Sequence, residues 1–173
     1  LVLNIFNESE PMWLTFKRLG LEAAWIPKDN FDKTVSPDLT LNPEFSSLGI
    51  ILGKSPSLDV TYTCFNMEDS ILGQNVHLRR AISLAWNTQK TIELLYNNRA
   101  IPSHSPIPPG LLGYEENFVN PYQKYDTVEA KREMARAGYP NGKGLPAITY
   151  LETDNALSRQ WSDKFRQEMA VLG

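Results

Sequence analysis

The stretch Leu58–Trp86, LDVTYTCFNMEDSILGQNVHLRRAISLAW, carries the clearest local structure in the chain. Residues 60–67 are rich in β-branched and aromatic side chains and therefore predict a strand with two alternating faces. One face would carry Val60, Tyr62, Cys64 and Asn66, and the other Thr61, Thr63 and Phe65. After a turn through Gly73, apolar residues recur at the i, i+3, i+4 and i+7 spacing of an amphipathic helix. They are Leu78, Ala81, Ile82 and Ala85, and the large side chains of Leu78 and Ile82 are expected to set the buried face.

The preceding residues alternate short apolar runs with helix signals, which predicts an α/β arrangement. We expect strands at residues 1–6, 21–26 and 50–53. Helices are expected to begin at Ser9, Asp29 and Pro43. In the first of them, Trp13 and Phe16 lie at helical spacing, and Gly20 is expected to end the helix in the left-handed conformation. Ser55-Pro56-Ser57 interrupts the pattern, so we place a boundary between residues 1–57 and 58–173.

The remaining chain is predicted to be mainly helical. Asn87 ends one helix and caps the next, which runs to Tyr96 with Ile92 and Leu95 inward. Residues 97–125 contain five of the 12 prolines and form a long loop. A helix capped by Asp126 or Thr127 and a strand at residues 147–151 follow. Asp154 or Asn155 opens a last helix, whose inward face is expected to carry Leu157, Trp161, Phe165, Met169 and Leu172.

Composition excludes several classes of protein. The net charge is −3 and the pI is near 5.4, which argues against a nucleic-acid surface. An apolar content of 42% argues against disorder, and the single Cys64 cannot form an internal disulfide. No apolar run approaches the roughly 18 residues that span a bilayer. Because the sequence starts and stops abruptly, we expect it to be a fragment of a longer chain.

The sequence contains no apparent catalytic or metal-binding pattern. His77 and His104 lack partners at metal-ligand spacing, and HExxH, CxxC and Gly-x-Ser-x-Gly do not occur. Each histidine is interpreted as a surface or loop residue. The sequence therefore predicts a protein that is not an enzyme and that needs no metal or cofactor.

A series of short motifs follows one order along the chain. They are Phe16-Lys17-Arg18-Leu19-Gly20, Tyr62-x-x-Phe65-Asn66, Leu78-Arg79-Arg80-Ala81-Ile82-x-x-Ala85, Ser105-Pro106-Ile107-Pro108-Pro109-Gly110, and Tyr125-Asp126 with Ala137-Gly138-Tyr139-Pro140. This succession resembles the family 5 extracellular solute-binding proteins, the peptide- and oligopeptide-binding receptors of ABC importers. One departure is Asn87, where the family usually has an aspartate.

The resemblance implies a fragment of a type II periplasmic-binding-protein-like lobe, an α/β fold with a mixed sheet flanked by helices. Residues 1–57 would end the first lobe and residues 58–173 would form part of the second, both incomplete. Tyr62, Asn66 and Asn155 are the substrate-binding candidates that it suggests. For Tyr62 the alternative is an ordinary strand residue packing on a helix, and Asn66 is expected chiefly to brace the following turn.

The resemblance also implies partners and a location. The partners would be a peptide or another small solute and an ABC permease, with the membrane reached only through the permease or a lipid anchor. The location would be periplasmic or extracellular. Two alternatives remain at this stage: a small hydrolase with an unrecognised site, and a scaffold or adaptor domain with an apolar surface patch.

Overall fold

A computed structural model of the protein describes residues 2–55 and 57–173. The α-helices in this part of the chain are α1 Ser9–Lys17, α2 Lys28–Thr34, α3 Pro43–Ser46, α4 Val76–Ala85, α5 Thr88–Tyr96, α6 Thr127–Arg136 and α7 Ala156–Met169. Short 3₁₀ turns lie at Pro140–Gly142 and Ala170–Leu172. None of these helices is long and apolar enough to cross a bilayer.

The predicted strands are not present as strands in the described residues. Between residues 2 and 173, with position 56 excepted, the strand-type pairing is a single antiparallel bridge between Val35 and Leu41. The predictions for residues 21–26, 50–53, 60–67 and 147–151 were therefore wrong for this structure, and the mixed sheet is not seen. A strand needs a second backbone in register, and a local side-chain pattern does not supply one. Leu1 of the first predicted strand and Pro56 of the predicted boundary lie outside the described residues.

The larger core lies between α4 and α6, which run antiparallel. At one end the Asn75 side chain donates to the Ala137 carbonyl at 2.9 Å. At the other end the Asp126 amide donates to the Leu84 carbonyl at 2.9 Å. These bonds join the start of each helix to the end of the other and hold the two apolar faces together. The fully buried side chains of this core are Leu78, Ala81, Leu84 and Ala85 on α4 and Ala130 and Met134 on α6.

Three of the four residues predicted for the buried stripe of α4 are fully buried, namely Leu78, Ala81 and Ala85. The fourth is not. Leu84 is fully buried, whereas Ile82 is only partly buried against the same core. Leu84 lies three residues after Ala81, so both side chains are on the same face of the helix. A buried stripe that includes Leu84 therefore also fits the helical spacing of three and four residues. The prediction of Ile82 as a large buried side chain was wrong, because the sequence contains two adjacent stripes and only the position of α6 chooses between them.

Helix ends follow the predicted capping residues in the second part of the chain. The side chains of Asn87, Asp126 and Asn155 accept bonds from the amides three residues later at 2.9, 3.0 and 2.9 Å. Gly138 has a φ of 90° after α6, as the stop of that helix requires. Ile92 and Leu95 on α5 are each only 6% exposed, as expected.

The inward face of α7 agrees with the prediction except at its first residue. Leu172 is buried, Met169 packs on the main core, and Trp161 and Phe165 stack on neighbouring rings. Leu157 is 42% exposed, so its assignment to the inward face was wrong. Ser158 and Lys164 are buried instead, and the Lys164 ammonium pairs with Glu168. The long stem of a lysine can cover apolar surface while its charge is paired, which a hydrophobicity pattern cannot register.

A smaller core organises the first part of the chain. Trp13 and Phe16 are buried with Phe45, and the Trp13 and Phe16 rings stack at 5.4 Å. The predicted stop of α1 was displaced by one residue, because Leu19 takes the left-handed conformation with a φ of 59°. Gly20 lies where a side chain would be crowded, because a Cβ on it would lie 3.0 Å from the Thr15 methyl carbon.

The first two helices start differently from the prediction. Glu8 occupies the N-cap position of α1 and Pro27 that of α2, and neither position has a side-chain cap bond. Ser9 and Asp29 are instead the first and second residues of their helices.

Polar contacts join the two parts of the chain. The Lys28 ammonium donates to the Gln160 side chain at 3.0 Å, and the Asn97 amide donates to Asp32 at 3.3 Å. Arg159 lies 3.6 Å from Glu8, and the Arg99 guanidinium sits 4.1 Å above the Phe31 ring. Charged and amide groups therefore dominate these contacts, in contrast to the apolar packing of α4 on α6.

Candidate functional site

The segment 60–66 lies on the surface with one face free. Tyr62 is 71% exposed, and Cys64 and Asn66 are also exposed. Phe65 is partly buried and packs on the core between α4 and α6. The predicted alternation of faces is not seen in the burial of this segment, because Thr61 and Thr63 are exposed like Tyr62, whereas Val60 and Phe65 are partly buried. The segment also has no strand partner among residues 2–55 and 57–173.

A hydrogen bond joins the segment to the helices. The Tyr96 hydroxyl, at the end of α5, donates to the Thr61 hydroxyl at 2.9 Å. The nearby Tyr150 hydroxyl donates to Glu152 at 3.1 Å. Burial and the Glu152 carboxylate raise the pKa of Tyr150, while the Thr63 hydroxyl opposes that shift. Thr61, Tyr62 and Thr63 are all exposed, and the bond from Tyr96 lies at the surface.

These tyrosines belong to a cluster of aromatic rings built around α7. Trp161 stacks on Trp86 at 5.3 Å and meets Tyr96 edge to face at 6.1 Å. Phe165 stacks on Tyr150 at 4.5 Å. Such pairs are worth about 0.5–1.5 kcal/mol beyond the area that they bury. The cluster therefore fixes the Tyr96 ring, whose hydroxyl contacts Thr61.

Asn66 has a structural role in the turn after the segment. Its side-chain oxygen accepts the Glu68 amide at 3.0 Å, which is the bracing contact expected from the sequence. Asp69 accepts the amides of Ile71 and Leu72 at 2.9 and 2.7 Å, and the Leu72 bond is the main cause of its lowered pKa. These two side chains use their acceptors within the turn and define its shape.

Gly73 ends this turn at a point where its backbone lies close to the Met67 carbonyl. A Cβ on Gly73 would lie 2.1 Å from the Met67 carbonyl oxygen, so no other residue fits without a backbone shift. The Arg79 guanidinium also donates to the Leu72 and Gly73 carbonyls, at 2.5 and 2.9 Å. Arg79 therefore has a structural role through backbone carbonyls.

The side chain of Asn155 forms two hydrogen bonds at the start of α7. Its oxygen accepts the Ser158 amide, and its nitrogen donates to the Thr153 hydroxyl at 3.0 Å. It borders an open groove lined by Tyr150, Leu151, Glu152, Thr153, Asp154, Ser158, Arg159, Ser162, Asp163 and Arg166. Among the described residues no hydrogen bond joins Asn155 to Tyr62 or Asn66, so the three candidates are not brought into one hydrogen-bonded site.

His77 contacts a buried carboxylate, a partner that the sequence did not reveal. Its Nδ1 lies 2.6 Å from Glu133, whose side chain is 5% exposed, and Arg136 approaches the other Glu133 oxygen at 2.5 Å. Burial raises the pKa of Glu133, but the hydrogen bonds from His77 and Arg136 outweigh it and leave the pKa lowered. In the described part of the chain no group of three or more His, Cys, Asp or Glu side chains is placed to hold a metal ion.

The sequence also did not single out Tyr96 as a partner of the 60–66 segment. Thr61 and Tyr96 lie 35 positions apart, and the exposed threonine hydroxyl gives no local signal of this contact.

Several characterised proteins are similar to this chain. A heme-binding protein A from Haemophilus influenzae is 32% identical over 112 residues, which are 61% of this chain and 20% of that protein. A dipeptide-binding protein from Escherichia coli is 27% identical over 126 residues, or 72% of this chain and 23% of that protein. A glutathione-binding protein from Escherichia coli is 30% identical over 125 residues, with the same two coverages of 72% and 23%.

A solved structure shares the fold of much of the chain. The crystal structure of a periplasmic oligopeptide-binding protein from Borrelia burgdorferi matches with a TM-score of 0.53 and 26% identity. The match covers 62% of this chain and 21% of that one. The chain therefore spans about a fifth of the length of the relatives that it matches.

The match to a protein family is more extensive than any of these pairwise similarities. The family described as bacterial extracellular solute-binding proteins, family 5 Middle, matches residues 21–173. This range includes the exposed 60–66 segment, helices α4–α7 and the proline-rich loop at residues 97–125. The chain belongs to the bacterial extracellular solute-binding proteins of family 5.

Proposed function

We propose that this chain is part of the solute-binding component of an ABC importer and that it helps to capture a peptide or a similar small solute. The family match over residues 21–173 carries the proposal. The names of the relatives support it, since they are a dipeptide-binding, a glutathione-binding, a heme-binding and an oligopeptide-binding protein. Because proteins of one fold are named for such different ligands, membership of the family does not identify the solute.

The proposed ligand contact is the free face of the 60–66 segment. Tyr62 offers a flat apolar ring and a hydroxyl that can bond a peptide carbonyl, and 71% of it is exposed. Asn66 would shape the turn beside that contact, and Asn155 would fix the start of α7 next to the polar groove. Tyr62 is accordingly the one of these three residues expected to touch the solute directly.

The proposal extends to architecture and location. Residues 1–57 would belong to the first lobe and residues 58–173 to the second, with the 60–66 segment entering a mixed sheet when partner strands are available. The lobes would close on the solute by a hinge motion, because the solute contacts both of them. The receptor would act in the periplasm or outside the cell, deliver its solute to a permease, and have no enzymatic activity.

Isothermal titration calorimetry on the protein encoded by the complete gene tests this function. The ligands are a defined panel of alanine dipeptides to tetrapeptides, glutathione and haem. We expect micromolar or tighter binding of at least one ligand, with about tenfold weaker binding after Tyr62→Ala. Tyr125→Ala is the matched control, because Tyr125 is also exposed, at 54%. A complete protein that binds no panel member, or hydrolyses one, would contradict the proposal.

The 173-residue chain alone should behave differently. It spans about a fifth of its relatives and would contribute only one wall of the proposed site. We therefore expect negligible affinity of this chain for the same panel. Micromolar binding by the chain alone would place the whole site within it and contradict the two-lobed arrangement.

A further inference from the structure

We propose that residues 111–119, the tip of the long proline-rich loop, form a docking surface for a protein partner whose contacting surface is apolar and carries lysine or arginine side chains. The inference goes beyond the proposed function and does not depend on it, because none of the proposed solute contacts lies in this loop tip. Long loops in compact proteins are usually functional, and the proposed solute contact gives this one no role.

The loop tip exposes a run of large apolar side chains. Every residue from 111 to 119 is exposed, and the large apolar ones are Leu111, Leu112, Tyr114, Phe118 and Val119. Single exposed apolar residues are common on protein surfaces, whereas several that lie together mark an interaction site. Because these residues belong to one short loop, they form one patch.

The backbone of the loop tip is folded into turns. Its amides donate from Leu111 to the Pro108 carbonyl at 3.3 Å, from Tyr114 to that of Leu111 at 3.1 Å, and from Phe118 to that of Glu115 at 3.2 Å. These bonds give the patch a shape before any partner arrives. A preformed loop loses less conformational freedom on binding than an extended one, so more of its contact energy appears as affinity.

Both ends of the loop tip are anchored on the body of the protein. Before it, Pro108 is buried. After it, the Arg80 guanidinium lies 4.5 Å above the Tyr122 ring, and the Gln123 side chain donates to the Thr88 hydroxyl at 3.4 Å. Arg80 and Thr88 belong to α4 and α5, so the tip projects from a base that is fixed on two helices.

Two carboxylates lie within the apolar patch and indicate the charge of the partner. Glu115 and Glu116 are exposed, and neither has an ion-pair partner within residues 2–55 and 57–173. A partner that covers the apolar side chains also removes water from these carboxylates, which is costly unless they are paired. An apolar surface that carries lysine or arginine meets both requirements.

The same carboxylates disfavour two other occupants. A symmetric dimer built on the loop tip would bring Glu115 and Glu116 of both copies into one interface, where like charges repel. An anionic lipid surface would repel them as well, and the whole chain has a net charge of −3. A basic protein surface is therefore the occupant that the charges favour.

The first experiment measures binding of a defined probe to the protein encoded by the complete gene. The probe is a fluorescein-labelled helical peptide of leucine and lysine, and its control is a peptide of leucine and glutamate of the same length. By fluorescence anisotropy we expect the lysine peptide to bind about tenfold more tightly than the glutamate peptide. Equal affinities of the two peptides would overturn the proposed charge of the partner.

Matched variants locate the binding on the loop tip. Leu112→Ser should weaken binding of the lysine peptide about tenfold, whereas Leu151→Ser, which also removes an exposed leucine, should leave it unchanged. Both leucines are exposed, so neither variant should disturb folding. Equal losses in these two variants would overturn a site at the loop tip.

A second pair of variants tests the carboxylates. Glu115→Gln combined with Glu116→Gln should weaken binding about fivefold and reduce its dependence on salt, because screened ion pairs are lost. Glu22→Gln combined with Glu44→Gln is the control, because it removes the same charge from exposed positions elsewhere. Equal effects of the two double variants would show attraction by net charge alone and overturn the role of the loop tip.

Other occupants are distinguished in the same complete protein. Hydroxyl radicals should oxidise Phe118 readily, and the lysine peptide should protect it; resistance without the peptide would mean that the rest of the polypeptide covers the loop tip, which would overturn the proposal. A dimer in sedimentation velocity, or pelleting with phosphatidylcholine vesicles, that Leu112→Ser abolishes would assign the surface to a second copy or to lipid and overturn it equally.

The outcome is also separable from that of the solute experiment. Peptide binding is measured without solute, so a complete protein that binds no solute would leave the docking result intact. Leu112→Ser should leave solute affinity unchanged, and a loss of solute affinity in this variant would assign the loop tip to the solute site and overturn the docking proposal.

Discussion

Replacing Leu84 by alanine is expected to destabilise the protein far more than replacing Ile82 by alanine. Leu84 is fully buried between α4 and α6, while Ile82 is only partly buried. Truncating a fully buried leucine removes its transfer free energy and leaves a cavity, at a cost of about 3 kcal/mol. The Ile82 side chain already contacts water, so its truncation should cost about 1 kcal/mol. Both variants place alanine in the same helix, so helix propensity changes little between them.

Urea unfolding followed by far-UV circular dichroism measures this difference. With a slope near 2 kcal/mol per molar urea, a difference of about 2 kcal/mol moves the midpoint by about 1 M. Leu157→Ala on α7 serves as an exposed control, because Leu157 is 42% exposed, and should cost less than about 1 kcal/mol. If Ile82→Ala lowered the midpoint as much as Leu84→Ala, the orientation of α4 described above would be refuted.

Two further predictions concern the turn before α4 and the buried ion pair on α6. Gly73→Ala should lower the free energy of unfolding by about 3 kcal/mol, because the new Cβ would overlap the Met67 carbonyl. Gly53→Ala is the control, since no atom lies within 4 Å of a Cβ placed on Gly53. Equal unfolding midpoints for the two variants would contradict the turn geometry. The lowered pKa of Glu133 means that its stabilising contribution is complete above its ordinary value of 4.5 and is lost as pH falls through the folded pKa. Unfolding midpoints measured from pH 7 to pH 3 should therefore fall less steeply in Glu133→Gln than in the parent chain, and identical slopes would exclude Glu133 as a source of acid instability.

Sequence reasoning located most helix ends because a cap is a local device. Asn87, Asp126 and Asn155 each bond an amide three residues later, so the information for the cap lies within four residues of chain. The exception at Leu19 shows the limit of the same reasoning. A glycine can be required because a neighbouring group lies too close for a Cβ, or because its φ is positive. At Gly20 the neighbouring group is Thr15, and that contact is visible only in three dimensions.

The candidate site was predicted in part. Asn66 was expected to brace the following turn, and its side-chain oxygen accepts the Glu68 amide. The alternation of faces along residues 60–66 was not realised, because Thr61 and Thr63 are exposed like Tyr62. The contact of Tyr96 with Thr61 was not predictable, because these residues lie 35 positions apart. Spacing rules describe one element at a time, whereas this contact joins α5 to another segment.

The sequence by itself determined the local features of this protein: where the helices after residue 87 start, and the family to which residues 21–173 belong. Only the tertiary structure decided the features that need a second element. It selected Leu84 over Ile82 as a buried residue of α4, buried Glu133 against His77, and left the 60–66 segment without a strand partner among the residues described. The physical reason is that capping and side-chain alternation act within one turn or one extended segment, whereas burial, ion pairing and strand pairing each require a neighbour brought close by the fold.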